Sequence, residues 1–267
     1  MNILVCIKQV PDDSAEVHLN SEGKPDLENI TPVVNAFDTY ALEMAARLKE
    51  SSGGEITVAC IGDAGAKNSL KNCLAVGADY AFLVNDPAFK DSDTRGITHI
   101  LKNAAEKIEA DTGKKFDLIF CGKEATDAAL GQVGPVLADK LGVGVITNII
   151  DIQLDADKVT AKQETEEGYR TVESKTPCVV TVSKPEYDPR YPTIKNKMAA
   201  RKKPIGNITM NDMADVKTEK VGKENALVKV IKLYEPPKKE AGIKIQEETD
   251  EDSALKAVAM MAEAKVF

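Results

Sequence analysis

A parallel, doubly wound α/β sheet is the fold class that this sequence predicts, and three observations carry it. Short apolar runs at 3–10, 55–61, 80–84, 118–121 and 144–150 alternate with longer segments of helical spacing. The runs at 55–61 and 118–121 stop at Gly62 and Gly122, as strands do where a βα turn begins. From about Asp151 the texture changes to four short runs, 152–154, 158–162, 171–174 and 178–182, parted by turn clusters DAD and EEG, which predicts an antiparallel extension of the same sheet.

Taken in order, 3–10 is the first strand. Asn35 stands where an N-cap belongs, with Asp38 three residues on, before a helix over 40–49. Strand 55–61 is followed by a helix closing near Gly77 and a short strand at 80–84. Asp93 and Thr94 then cap a helix whose Ile97, Ile100, Leu101, Ala104, Ala105 and Ile108 form one apolar stripe. Strand 118–121, a helix from Gly131 and strand 144–150 complete the alternation. Beyond Pro185 the chain is basic and broken by prolines, with no obvious strand. Residues 204–250 have low apolar density, the Pro236-Pro237 break and the acidic run EETDED, so 205–267 is expected to be an extended arm ending in a helix at 253–265. Such a helix, with Ala254, Leu255, Val258, Ala259 and Ala262 on one stripe, needs a surface to cover: another subunit, or its own domain 1–204.

Composition excludes several classes. The chain has 267 residues, 43% hydrophobic and 29% charged, enough for one large domain with or without an appendage. No apolar stretch approaches the roughly 20 residues of a membrane span, and MNILVCIKQVP has the texture of a first strand; a cytoplasmic protein is expected. A net charge of −8, with 4% aromatics, argues against a nucleic-acid binder. The five cysteines are scattered without a C-x-x-C and His18 and His99 are isolated, so no metal site is expected; buried apolar packing accounts for the thiols. Neither a G-x-S-x-G nor a Ser, His and Asp set is present, and the chain has no evident nucleophile of its own.

The most informative stretch is 117–141, DLIFCGKEATDAALGQVGPVLADKL: a strand, a glycine-rich loop and a helix start. Loops at the carboxyl ends of parallel strands form ligand crevices, and free N–H groups at a helix N-terminus suit phosphate. Gly122, Gly131 and Gly134 remove side chains where backbone would approach a nucleotide, although glycines that merely shape a turn would look the same. The pattern is neither G-x-G-x-x-G nor a Walker loop.

Five ordered segments together resemble the β subunit of electron-transferring flavoproteins: ILVCIKQVPD, VVNAFDTYALEMAARLKE, LAVGADYAFLV, CGKEATDAALGQVGP and PRYPTIKNKMAARKKP. The resemblance covers essentially the whole chain. It implies an adenine-nucleotide alpha-hydrolase-like sheet and a larger α-subunit partner carrying the electron-transferring FAD. It also implies a nucleotide lying against Cys6, the turn Asn35, Ala36, Phe37 and Asp38, Ile61 and Gly62, Gly122 and Lys123, and the segment Asp127, Gly131, Gln132, Val133, Gly134, Pro135 and Val136. Asn35 and Asp38 offer polar edges to base or ribose, and helix capping alone would also explain both. The family's D-G-D-T-G/A-Q-V-G-P loop departs here to DAALGQVGP, so a carboxylate and a hydroxyl are missing and only backbone remains at 128–130.

The family has two branches, one whose β subunit holds structural AMP and one, largely in anaerobes, whose β subunit holds a second FAD that accepts hydride from NADH and bifurcates the electrons. The opening K-Q-V-P-D, and Asp93 and Thr94 at a helix start, resemble the second branch; an N-cap role for Asp93 and Thr94 is the plain alternative. The resemblance thus implies electron delivery to an acyl-CoA or 2-hydroxy-acid dehydrogenase and to a low-potential acceptor such as ferredoxin or flavodoxin. The subunit would not be catalytic alone. A nucleotide-binding sensor module is the competing class. The resemblance assigns 185–204 to a partner-recognition loop with Ile194 as its apolar anchor, Met198 beside it, and Arg190 and Lys197 on the charged rim; a nucleic-acid patch and a solvated charged face are the rival readings.

Overall fold

The computed structural model describes residues 1–237 and 241–266. Strand β1 (Asn2–Ile7) leaves the sheet earlier than the apolar run suggests. The reason is that the Lys8 N–H donates to the Asp38 carboxylate at 2.6 Å instead of joining the ladder. The chain then turns into β2 (Gln9–Pro11), which pairs antiparallel with β3 (Pro32–Val34) in a separate two-stranded ribbon. Next come α1 (Ala36–Ser52), β4 (Glu55–Ile61), α2 (Lys67–Val76), β5 (Tyr80–Val84), α3 (Thr94–Thr112) and β6 (Leu118–Gly122). The remaining elements are α4 (Val133–Leu141), β7 (Gly144–Asp155), β8 (Lys158–Thr165), β9 (Gly168–Lys175), β10 (Cys178–Val182), α5 (Ile194–Lys202), β11 (Gly206–Ile208) and α6 (Asp250–Glu263).

The main sheet runs β11-β5-β4-β1-β6-β10-β7-β8-β9. Its pairings are parallel from β11 to β7, and β7, β8 and β9 form the antiparallel extension. One run expected in that extension belongs elsewhere: β10 lies parallel between β6 and β7, with all five residues buried. CVVTV has no polar alternation, which marks a strand covered on both faces rather than half of a surface hairpin. One apolar core lies between the sheet and α1 and α2, the other between the sheet and α3 and α4.

Residues 205–231 are also not a free arm. β11 pairs with β5 in the register Gly206↔Phe82 to Ile208↔Val84, and Met213, Val216 and Val221 are buried in the core beneath α3. The first compact unit is therefore Met1–Val17 with Pro25–Ile231, past the expected boundary at 204. The second combines His18–Lys24 with Lys232–Phe267, of which 238–240 and 267 lie outside the described residues. Within it, α6 is capped by Thr249 on the Asp252 N–H, buries no residue, and exposes Leu255 and Val258. Among the described residues, no helix is long and apolar enough to cross a membrane.

Candidate nucleotide crevice

Strand β1 is flanked by β4 on one side and β6 on the other, so the strand order reverses there, and the loops leaving the three strands part to leave a crevice of about 480 Å³. Its floor carries Cys6, Ile61 and Cys121 from the strand ends. One wall is apolar, made by Phe89 and by Ile97 and Leu101 of α3; the facing wall is the loop from Gly122 to Val133. Of the residues that the sequence nominates, Cys6, Asn35, Asp38 and Ile61 line it, as do Asp93, Thr94, Gly122 and Lys123, and Gly131, Gln132 and Val133. Ala36, Phe37, Gly62, Asp127, Gly134, Pro135 and Val136 do not. Lys8, Phe89, Leu101 and Cys121 were not nominated, yet a strand-end rule would reach Lys8 and Cys121, and the apolar stripe of α3 contains Leu101.

Asn35 occupies the N-cap position of α1 and Asp38 lies in its first turn, yet the side chain of neither is spent on capping or left as a free polar edge. The Asn35 side chain makes no capping bond; its Nδ2 donates to the Glu124 carbonyl at 2.8 Å and its Oδ1 accepts from the Thr126 N–H at 3.1 Å. Asp38, buried, accepts from the Lys8 N–H and from the Gly122 N–H at 3.1 Å. The two side chains thus tie the start of α1 to the exits of β1 and β6. Burial pushes the Asp38 carboxyl up to about 7, against the lowering effect of the Lys8, Asn35 and Gly122 hydrogen bonds. The fit leaves no room at Gly122, where a Cβ would stand 2.4 Å from Asp38 Oδ1 and 2.8 Å from Phe37 Cβ.

The loop is held at both ends. Lys8 Nζ pairs with both carboxylate oxygens of Asp127 at 2.7 Å, and Thr94 Oγ1 donates to Gln132 Oε1 at 3.2 Å. Helix α4 begins at Val133, two residues later than its sequence suggests, because Gly131 has φ +63 and cannot belong to a right-handed helix. The Val133 and Gly134 N–H groups at the start of α4 precede the first intrahelical bond, from the Val136 N–H to the Gln132 carbonyl, so this dipole end with Lys123 suits an anion. Gly134 serves another purpose: a Cβ there would lie 2.2 Å from Thr181 Cγ2, so this glycine lets α4 pack on β10. Asp93 does cap α3, accepting from the Gly96 N–H at 2.9 Å, and its other oxygen accepts from the Leu227 N–H at 2.7 Å. Burial raises the Asp93 carboxyl, but the N–H donors of Gly96, Leu227 and Val228 outweigh it and hold the group below the usual range.

Within the basic stretch 185–204, residues 185–193 form no regular element and Ile194–Lys202 form a helix. Thr193 caps α5 by accepting from the Asn196 N–H at 3.1 Å, and Lys71 of α2 donates to the carbonyls of Ala200 and Arg201 at 3.1 Å, where a helix C-terminus favours a cation. Ile194 and Met198 stand 80% and 61% exposed on the α5 surface, with Lys197 between them also exposed. Arg190 is tied to the fold by its side chain. Its guanidinium is bonded to Glu43, at 2.7 Å from Nε, and to Glu50, so it fastens the approach to α5 onto α1.

Comparison with known proteins places this geometry. Residues 28–213 match the family described as electron transfer flavoprotein domain. The electron transfer flavoprotein subunit beta of Megasphaera elsdenii is 39% identical over 260 residues, covering 96% of this chain and 95% of that protein. The caffeyl-CoA reductase-Etf complex subunit CarD of Acetobacterium woodii is 33% identical over the full length of both, and the acryloyl-CoA reductase electron transfer subunit gamma of Anaerotignum propionicum is 32% identical over 92% of each. A parallel sheet with a crevice at its switch point, matched along nearly its whole length to such subunits, belongs to the electron transfer flavoprotein family, as a β subunit.

Proposed function

We propose that the crevice holds FAD and that this subunit works in a heterodimer with an electron transfer flavoprotein α subunit. FAD bound there would take a hydride from NADH and divide the electron pair between the α-subunit FAD and a low-potential acceptor such as ferredoxin or flavodoxin. The observation that carries this reading is the apolar wall of Phe89, Ile97 and Leu101 beyond the anion-friendly loop. AMP has no second ring system to cover such a wall, whereas a dinucleotide with a flat isoalloxazine does. The chain's own residues bind and orient: the α4 N-terminus with Lys123 meets phosphates, Cys6 and Ile61 flank a ring, and Asp93 and Thr94 bound the crevice at the start of α3. Asn35 and Asp38 act by holding those loops in place.

Electron exit is proposed at α5, where Ile194 and Met198 would enter an apolar pocket of a partner dehydrogenase inside a rim that includes Lys197. An acyl-CoA-type partner is supported by two relatives whose names tie them to acryloyl-CoA and caffeyl-CoA reductases. The arm from Lys232, with the exposed stripe of α6, is proposed to dock on the α subunit. The deciding experiment releases and quantifies the nucleotides of the purified heterodimer. Two FAD per heterodimer support the proposal. One FAD with one AMP would overturn it in favour of a structural AMP-holding subunit.

A further inference from the structure

Cys6 and Cys121 are register partners on the adjacent parallel strands β1 and β6. Neighbouring strands lie about 4.8 Å apart, inside the roughly 4.4–6.8 Å Cα separation that a disulfide spans. Side chains in register share a face, and both residues pack in the core cluster beneath α3, while Cys60, Cys73 and Cys178 belong to the cluster on the opposite face. Cys6 and Cys121 both line the floor of the crevice, which none of the other three cysteines does. A reagent entering the crevice therefore meets two sulfurs side by side and no third.

We propose that Cys6 and Cys121 form a two-thiol modification site in the crevice floor, where a peroxide or a trivalent arsenical joins both sulfurs, and that bound nucleotide excludes such reagents. The exclusion rests on the crevice being the nucleotide site; the pairing does not. With a peroxide, one sulfur attacks oxygen as the O–O bond breaks, giving a sulfenic acid and water; the second thiol then displaces water, so both sulfurs are oxidised, both oxygens are reduced to water and one S–S bond forms. With an arsenoxide, two As–S bonds form and the oxygen leaves as water with both thiol protons, without oxidation. The Cys6 thiol beside it and burial push the Cys121 thiol well above its usual range, which slows single-site alkylation. A bridging reagent overcomes this, because its second bond is intramolecular.

The test uses the intact heterodimer with phenylarsine oxide, with and without saturating FAD or AMP. The expected result is one arsenical per β chain, two titratable thiols lost, both mapped by peptide mass to Cys6 and Cys121, and labelling on the order of tenfold slower under saturating nucleotide. Hydrogen peroxide should yield a species lighter by two hydrogens, restored by dithiothreitol and carrying the same cross-link. A bridge mapped to any other pair, or bridging that survives in Cys6→Ser and Cys121→Ser, overturns the site; mapping on the unaltered chain decides this even if a variant fails to fold. Equal labelling rates with nucleotide content verified as full would overturn the shielding alone. If released-nucleotide analysis finds none attributable to the β subunit while the mapped bridge forms, the nucleotide reading fails and the paired-thiol site stands.

Discussion

The crevice and the outer face of α5 carry opposite kinds of information. In the crevice wall Asn35 and Asp38 commit four hydrogen bonds to backbone groups, and at Gly122 Asp38 and Phe37 occupy the space that a Cβ would need. On α5 the commitments sit at the base, in Arg190, Thr193 and Lys71, and the presented side chains Ile194 and Met198 contribute nothing visible to the core. One surface is shaped by buried polar bonds that fix backbone, the other by apolar exposure that the fold does not need. Substitutions should therefore damage stability and binding together in the first region and separate them in the second.

The largest effect is expected at Gly122. Gly122→Val places carbon inside the Asp38 contact and should cost about 3 kcal/mol or more of stability, with loss of nucleotide, measured by urea unfolding and nucleotide release. Gly131→Val is the informative contrast. Nothing approaches its Cβ closer than 3.7 Å, but φ is +63, so the strain is about 1–2 kcal/mol and falls on the loop. A stable protein with diminished nucleotide content is expected. Full nucleotide content in the Gly131 variant would mean that the loop backbone does not meet the ligand.

Asp38 gives a pH test next in size. Its folded pKa of about 7 lies above the ordinary carboxylate value of 3.8, so the folded state binds the extra proton between those values. This group's contribution therefore favours the folded state increasingly as pH falls from 7 toward 4. His99 acts in the opposite sense: burial and the charges of Lys220, Lys140 and Lys102 lower its pKa from 6.5, so its contribution is lost as pH falls below that value. The difference between the chain and Asp38→Asn isolates the carboxylate. The variant should be less stable by about 1–3 kcal/mol at pH 5, because an amide leaves one of the two N–H donors poorly satisfied, and the gap should narrow toward pH 8. A gap that does not change between pH 5 and pH 8 would show that Asp38 is ionised throughout that range.

The sequence disclosed the framework better than the contacts. β4, β5 and β10 have the limits that their apolar runs indicate, because strand edges coincide with Gly62, Asn85 and Ser183, where apolar residues stop. The partner strands of β10 were not legible, since a five-residue apolar run says that a strand is buried and not which neighbours bury it. The crevice was legible as a place, through strand ends and glycines. The roles of Asn35, Gly134 and Arg190 were not: each is decided by a partner 47 or more residues away, Glu124 and Thr126, Thr181, and Glu43 and Glu50, and no local pattern encodes such a meeting.

On α5 the effects should shrink and separate. Ile194→Ala removes a side chain that is 80% exposed, so unfolding should be unchanged, while docking of a partner dehydrogenase weakens by about 1–3 kcal/mol. Stopped-flow reduction of the heterodimer's flavins by NADH should survive while the coupled dehydrogenase rate falls. Loss of flavin reduction with normal delivery from pre-reduced protein would move this helix to the electron-entry side. The smallest effect belongs to Lys197→Ala. A rim cation in water contributes about 0.2–1 kcal/mol and is screened by salt, so its loss should slow association at low ionic strength and leave the dissociation rate nearly untouched. The two association rates should converge as salt rises, because the attraction that the lysine supplied is the part that salt removes. If the rates of the two proteins stay apart at high salt, or the variant dissociates faster, Lys197 is buried by the partner, and the docking surface centres on it rather than on Ile194.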